Sequence, residues 1–399
     1  ITACCMLSRR WYVNLVAFLA CLSGETFLAH LFFPGYMLCP AAASFIILFL
    51  SRIWDLSRTP AKGNGADPIR LPVRSGIRES RLEFYYHYSN FLVYGGAGSG
   101  KTKSIGKWLL SEYMRLGFAG FIYDFKDTDY TRTAYNLIKR HRYPHKFYYV
   151  SFDRPERSYR FNPLKVVRDR TELIQLMEDV LLALLPKKEQ QNEWVAGGLG
   201  ILRGVAFRFW DEFPEHCTLP HILAFIMTAS ARQLSLFLQQ NLVSEMLAGA
   251  YLKAEGSEKT QASYLSTLCN NLATISQNEE IAYVLSGDDF DFNLIDPENP
   301  KLFAVSNNFS KNSVYAPVIS MLMTISARQF SMQNRVPFVY FLDEMTTVNI
   351  KNFETLPSVL REYKAAFILL TQSGAKLENL YGKLDRSSVE ANFGNMFLG

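Results

Sequence analysis

The sequence predicts an α/β fold with a mostly parallel sheet, an all-helical insertion and an N-terminal pair of membrane-spanning helices. Three features carry this prediction. A short apolar strand, a glycine loop and a helical pattern follow one another over residues 90–116. Short apolar strands ending in polar residues recur on either side of a helix-only stretch. Two long apolar runs open the chain. Residues alternating in this way between strands and helices build a parallel sheet covered by helices.

The apolar runs come first in chain order. Residues 11–33 and 36–54 are each long enough to span a bilayer, and Pro34-Gly35 turns the chain between them. Arg9 and Arg10 precede the first run; Arg52, Arg58 and Lys62 end or follow the second. Positive charge at both flanks puts both on the cytoplasmic side, as a hairpin with a short outer loop. Glu25 lies within the first run and is expected against a neighbouring helix or the headgroups. Residues 1–56 are therefore assigned to a transmembrane region. The apolar residues 1–7 read as the end of an earlier span, and Ile1 and Gly399 as ends cut from a longer chain. Residues 57–83, rich in Arg, Pro and Gly, read as a basic linker.

Charge is distributed unevenly. Residues 52–165 carry a net +11, and residues 166–399 a net −7. A basic stretch next to a membrane suits anionic lipid or nucleic acid, or is the ordinary cytoplasmic flank. With 49% hydrophobic residues and 20% charged, the chain is neither disordered nor fibrous. Its six cysteines form no C-x-x-C pair, which argues against a disulfide scaffold or zinc module and points to a reduced compartment.

The most specific motif follows the strand at 90–94. Gly95, Gly96, Ala97, Gly98, Ser99, Gly100, Lys101 and Thr102 fit G-x-x-x-x-G-K-[ST] in full. Glycines let backbone N–H groups wrap phosphates, and the following helix presents the positive end of its dipole. Lys101 can reach the β- and γ-phosphates of ATP, and the Thr102 hydroxyl can ligate Mg²⁺. The competing reading is a glycine-rich turn with a chance lysine. Such a loop needs an acidic partner, and the apolar strand 338–342 ends in Asp343 and Glu344. Asp343 suits Mg²⁺, directly or through water; Glu344 suits the general base that orients the attacking water. Further strands are predicted at 120–123, 146–150, 301–305 and 366–370. Ligands bind at the carboxyl ends of strands in such sheets, so Gln372 is placed to sense a γ-phosphate or position water, or is simply a polar strand cap. Asp124 and Lys126, after 120–123, are a loop salt bridge or members of the site.

Residues 166–287 break the alternation. Helices are predicted at 171–185, 194–210, 219–229 and 258–276. The glycine-rich run 194–210 is apolar but short and contains Arg203 and Arg208, so a buried helix is expected there. The nucleotide-binding domain is thus split in two. Its first segment is 84–165, the all-helical insertion occupies 166–287, and its second segment is 288–399, expected to be incomplete at its C-terminal end.

Taken together these residues resemble the type IV coupling proteins of conjugation and type IV secretion, the TraG/TraD-like and TrwB-like family. The resemblance rests on the membrane hairpin, GGAGSGKT at 95–102, YDFKD at 123–127, RFNPLK at 160–165, EKT at 258–260, FLDE at 341–344, LREYK at 360–364 and LLTQS at 369–373. Some features are similar to mobilisation proteins of the Bacteroides type, and Ala365-Ala366 stand where the family often has glycines. The resemblance implies a RecA-like motor core assembled as a hexameric ring, anchored by several spans in the bacterial inner membrane with its catalytic domain in the cytoplasm. It implies ATP hydrolysis coupled to moving DNA, or handing protein substrates, towards a secretion channel. Implied partners are DNA, a relaxase or effector proteins, inner-membrane channel components and membrane lipid. By the same resemblance Arg361, eleven residues before Gln372, reaches into a neighbour's ATP site. A surface ion pair with Glu354 or Glu362 is its alternative. Other functions open at this point are a receptor for secreted proteins that uses ATP mainly for assembly, and a DNA-packaging motor unrelated to secretion.

Overall fold

The computed structural model describes residues 67–399 apart from 76–77, 97, 127, 186–189 and 191. The expected spans at 11–33 and 36–54, Glu25, linker residues 57–66, Ala97 and Asp127 lie outside the described residues. Among the described residues no helix is long and apolar enough to cross a membrane.

The expected linker contains a hairpin. Strands β1 (Ile69–Ser75) and β2 (Arg78–Phe84) pair antiparallel, with Ile69 opposite Phe84. Its signal, Ile69, Leu71 and Val73 alternating with polar residues, is interrupted by Pro72 and obscured by the density of Arg. Ile69 and Leu71 are buried. Pro72 is tolerated because, among the described residues, the hairpin has no further strand to bond.

The main sheet has seven strands: β3 (Phe91–Tyr94), β4 (Ala119–Asp124), β5 (Lys146–Ser151), β6 (Lys301–Ser306), β7 (Phe338–Leu342), β8 (Ala365–Thr371) and β9 (Asn395–Leu398). Their order is β5-β6-β4-β7-β8-β3-β9 and every neighbouring pair is parallel. All residues of β4, β6, β7 and β8 are buried, as expected of strands covered on both faces. One face, with Phe91, Val93, Ile122, Phe341 and Ile368, packs on α1 (Lys107–Arg115) and α2 (Asp129–His141). The hairpin is tied to α1: the Arg70 N–H donates to Glu112 Oε2 at 2.8 Å, and Arg115 pairs with Asp67.

Helices fill 170–285: α3 (Arg170–Ala183), α4 (Glu193–Glu212), α5 (Leu219–Thr228), α6 (Ala231–Gln239), α7 (Leu242–Leu247), α8 (Gly249–Lys253), α9 (Glu258–Ser276) and α10 (Glu279–Leu285). Side chains of Asp169, Asn192, Thr218, Ser230, Asn241 and Asn278 cap six of them by accepting free N–H groups of the first turn. The apolar α4 is the centre of this bundle. A Cβ on Gly197 would sit 2.2 Å from the Tyr264 ring of α9, and one on Gly200 would sit 2.8 Å from the Leu247 carbonyl. Its glycines therefore serve close helix packing, and its arginines are paired: Arg203 with Glu178 at 2.6 Å and Arg208 with Glu212 at 2.8 Å.

The chain returns to the sheet through α11 (Asn312–Arg328), α12 (Leu356–Glu362), α13 (Gly374–Tyr381) and α14 (Lys383–Ala391). Arg328 of α11 pairs with Asp179 of α3 at 2.6 Å, so the first helix of the insertion is docked on the α/β body. The second face of the sheet, with Leu92, Phe121, Tyr340 and Phe367, shares one continuous core with the insertion helices.

Candidate active site

The glycine loop lies where β3 passes into α1. The Gly95 N–H donates to the Thr371 carbonyl at 3.1 Å, which fixes the loop beside the carboxyl end of β8. Gly98 and Gly100 have φ of +80° and +82°, a region that a side chain would strain. The chain then enters a turn of π-helix, Thr102–Gly106, that leads into α1. Gly106 is required by packing: a Cβ there would sit 2.3 Å from the Tyr130 hydroxyl.

Lys101 and Glu344, 243 residues apart, meet in this site. The Lys101 ammonium donates to the Gly95 carbonyl and to Glu344 Oε1, both at 2.8 Å. Their side chains are 6% and 2% exposed. Glu344 follows β7 with φ +46° and ψ +49°, an uncommon left-handed conformation for a non-glycine residue.

Asp343 is fully buried, and neither of its carboxylate oxygens has a hydrogen-bond partner. Burial pushes its carboxyl up to about 7; Lys126 and Lys101 oppose the shift, while Asp124 and Glu344 add to it. Asp124 is its neighbour across the sheet, because Tyr123 pairs with Leu342 and the Asp343 N–H donates to the Tyr123 carbonyl at 3.0 Å. Asp124 Oδ2 accepts from the Thr131 N–H at 2.8 Å and the Thr131 hydroxyl at 2.9 Å; Oδ1 has no partner. Burial pushes this carboxyl up to about 6, against the two Thr131 bonds. Asp124 and Lys126 do not form a loop salt bridge: Thr131 holds Asp124, and Lys126 is exposed.

Gln372 follows β8 directly and is exposed. It stands beside the loop because Thr371 is opposite Tyr94. Arg361 lies in the last turn of α12, exposed, and forms no ion pair with Glu354 or Glu362. It precedes β8, whereas Gln372 follows it. The seven residues of β8 span about 20 Å, so Arg361 and its own glycine loop occupy opposite ends of the sheet.

The site fits a magnesium–nucleotide. Among the described residues no group of three His, Cys, Asp or Glu side chains converges to hold a metal alone. Asp343 and Thr102 together suit an ion that takes its remaining ligands from phosphate and water, as Mg²⁺ does. The buried, unpartnered oxygens of Asp343 are a site that such an ion would satisfy. Thr131 was not legible in the sequence as a site residue; its only signal is its position seven residues after a strand-end acid.

Fold and loop define a P-loop α/β protein. Residues 82–398 match the family described as the type IV secretion-system coupling protein DNA-binding domain, and the chain belongs to that family. Its fold is similar to the bacterial conjugative coupling protein TrwBdeltaN70 in complex with sulphate, with a TM-score of 0.61 and 17% identity over 78% of this chain and 70% of that one. It is also similar to the plasmid coupling protein TrwB in complex with ADP and Mg²⁺, with a TM-score of 0.62 and 16% identity over 84% and 80%. VirB4 of Thermoanaerobacter pseudethanolicus shares the fold at a TM-score of 0.51 and 14% identity, over 84% of each chain. No curated protein matches the sequence.

Proposed function

We propose that this coupling protein is an ATPase that drives DNA towards a type IV secretion channel. The observation that carries the reading is the contact of Lys101 with Glu344 beside the unpartnered Asp343, at the mouth of the glycine loop. The similar TrwB has been solved with ADP and Mg²⁺ and with a non-hydrolysable ATP analogue, which supports ATP as the substrate here.

Backbone N–H groups of the 95–102 loop bind the phosphates of ATP, and the Lys101 ammonium exchanges its contact with Glu344 for one with them. Glu344, so released, accepts a hydrogen bond from the attacking water and orients it. Thr102 and Asp343 hold Mg²⁺, which neutralises charge developing on the phosphate oxygens. Gln372 senses the γ-phosphate from the end of β8. Arg361 acts on a neighbouring subunit's site in a hexameric ring, since its own site is at the far end of the sheet. The segment 1–56 anchors the ring in the inner membrane with the described domain on the cytoplasmic side. The helical insertion, in the acidic half of the chain, receives a relaxase or effector protein.

The test is ATP turnover of the purified protein with DNA, with relaxase, and with neither. Stimulation by DNA that disappears in Glu344→Gln is the expected result. Stimulation by relaxase alone would replace the motor with a receptor that uses ATP for assembly.

A further inference from the structure

The basic excess of residues 52–165 finds a surface on the edge of the sheet. β5 is the outermost strand there. Beside it a groove of about 690 Å³ is lined by Arg132 and Tyr135 of α2, Tyr149 of β5, and Arg154, Arg157 and Tyr159 after it. Among the described residues no acidic side chain lines the groove. Two of the described acids bordering it pair with cations outside the groove, and a third, Glu156, lies beside the groove's own Arg157. Asp129 pairs with Lys107 at 2.6 Å, Asp153 with Lys311 at 2.9 Å, and Glu156 is 3.9 Å from Arg157 in open solvent. Asp124 is buried beneath it.

The aromatic rings are unusual for an exposed surface. Tyr135 is 62% exposed and Tyr159 43%. Tyr159 is held in place by its N–H bond to the Tyr149 carbonyl at 3.0 Å and by an edge contact with Tyr148 at 5.1 Å. On α2, Arg132, Tyr135 and Lys139 are all exposed, and their spacing of three and four residues aligns them on one face. Cations alternating with accessible rings bind a strand that offers both phosphates and unstacked bases. A duplex keeps its base faces inside, and the carboxylate side chains of an acidic peptide have no rings to stack.

The floor of the groove reaches the active site. Thr131 lines the groove and holds the Asp124 carboxylate with its N–H and hydroxyl. Asp124 in turn is the cross-strand neighbour of Asp343. One side chain therefore separates the groove from the acids that face the nucleotide.

We propose that this Arg–Tyr groove binds single-stranded DNA and that Thr131 and Asp124 link its occupancy to ATP hydrolysis. The proposal rests on the motor reading and narrows it to one surface.

The test uses the full chain and a fluorescein-labelled oligothymidylate of roughly 20 nucleotides, followed by anisotropy at several salt concentrations. Tyr135→Ala and Tyr159→Ala are each expected to weaken binding about 5- to 150-fold, the loss of one stacked base. Arg132→Ala and Arg157→Ala should each flatten the slope of log affinity against log salt by about 0.7. All four should bind a fluorescent ADP analogue as the unaltered protein does. In Thr131→Val, at saturating oligonucleotide, the ratio of stimulated to unstimulated hydrolysis should fall towards one; full stimulation in that variant removes the link. Unaltered binding by the tyrosine variants overturns the groove and leaves the motor reading standing. If the unaltered protein binds no oligonucleotide and its hydrolysis ignores DNA, both fail. Equal losses for duplex and single strand, or displacement by phosphatidylserine vesicles that ignores the tyrosines, would reassign the groove to a phosphate or lipid surface.

Discussion

Replacing Asp343 by asparagine is expected to stabilise the protein without ligand while abolishing Mg²⁺-dependent hydrolysis. The carboxyl is fully buried and is pushed up from 3.8 to about 7. Between those values the folded state holds a proton that the unfolded state has released. Stability from this group is present in full below about pH 4 and is lost as pH rises towards 7. A shift of this size corresponds to roughly 2–4 kcal/mol, set first by burial of the charge and added to by the neighbouring Asp124 and Glu344 charges. Asparagine keeps the shape and carries no charge, so most of that loss should vanish. Thermal unfolding of both proteins at pH 5 and pH 8, with and without MgADP, reads the effect. The unaltered protein should melt lower at pH 8 than at pH 5 and recover with MgADP. Asp343→Asn should melt several degrees higher at pH 8, with a flatter pH response and little gain from Mg²⁺. An Asn variant that melts lower at pH 8, or keeps the full pH response, would refute the reasoning.

Lys101→Ala should abolish ATP turnover and also lower stability by about 1–3 kcal/mol, because it leaves the Glu344 carboxylate buried without a cation; turnover and melting temperature check the two effects. Glu344→Gln should still bind ATP but hydrolyse it about 100-fold more slowly or worse, and equal loss of ATP affinity in this variant and Lys101→Ala would contradict the roles assigned. Rings mixed from Lys101→Ala and Arg361→Ala subunits should regain some of their ATPase activity, since some sites then have both a sound loop and a sound arginine; mixed rings that stay inactive would remove Arg361 from the catalytic set. Gly106→Ala should cost about 1–3 kcal/mol through the clash of its Cβ with the Tyr130 hydroxyl 2.3 Å away, measurable as a drop in melting temperature that Tyr130→Phe partly relieves.

Local pattern alone determined much of this protein. The glycine loop needs no distant contact to be recognised, because its residue types answer to backbone geometry and phosphate chemistry within eight positions. The strands at 90–94, 120–123, 146–150, 301–305, 338–342 and 366–370 were legible as apolar runs because a parallel sheet covered on both faces demands them. The helix Glu258–Ser276 was legible from its periodicity. Tertiary structure decided the rest. The hairpin Ile69–Phe84 was hidden in a basic stretch, since its short alternation is broken by Pro72 and acquires meaning only against α1 and the shared core in which Ile69 and Leu71 are buried. Strand order could not be read, because β6 lies between β4 and β5 although the whole insertion separates it from them in sequence. The same holds for the meeting of Lys101 with Glu344, for Thr131 under Asp124, and for the distance of Arg361 from its own loop. Propensity and periodicity act over a few residues, whereas these juxtapositions arise from the register of strands brought together by burying a common core.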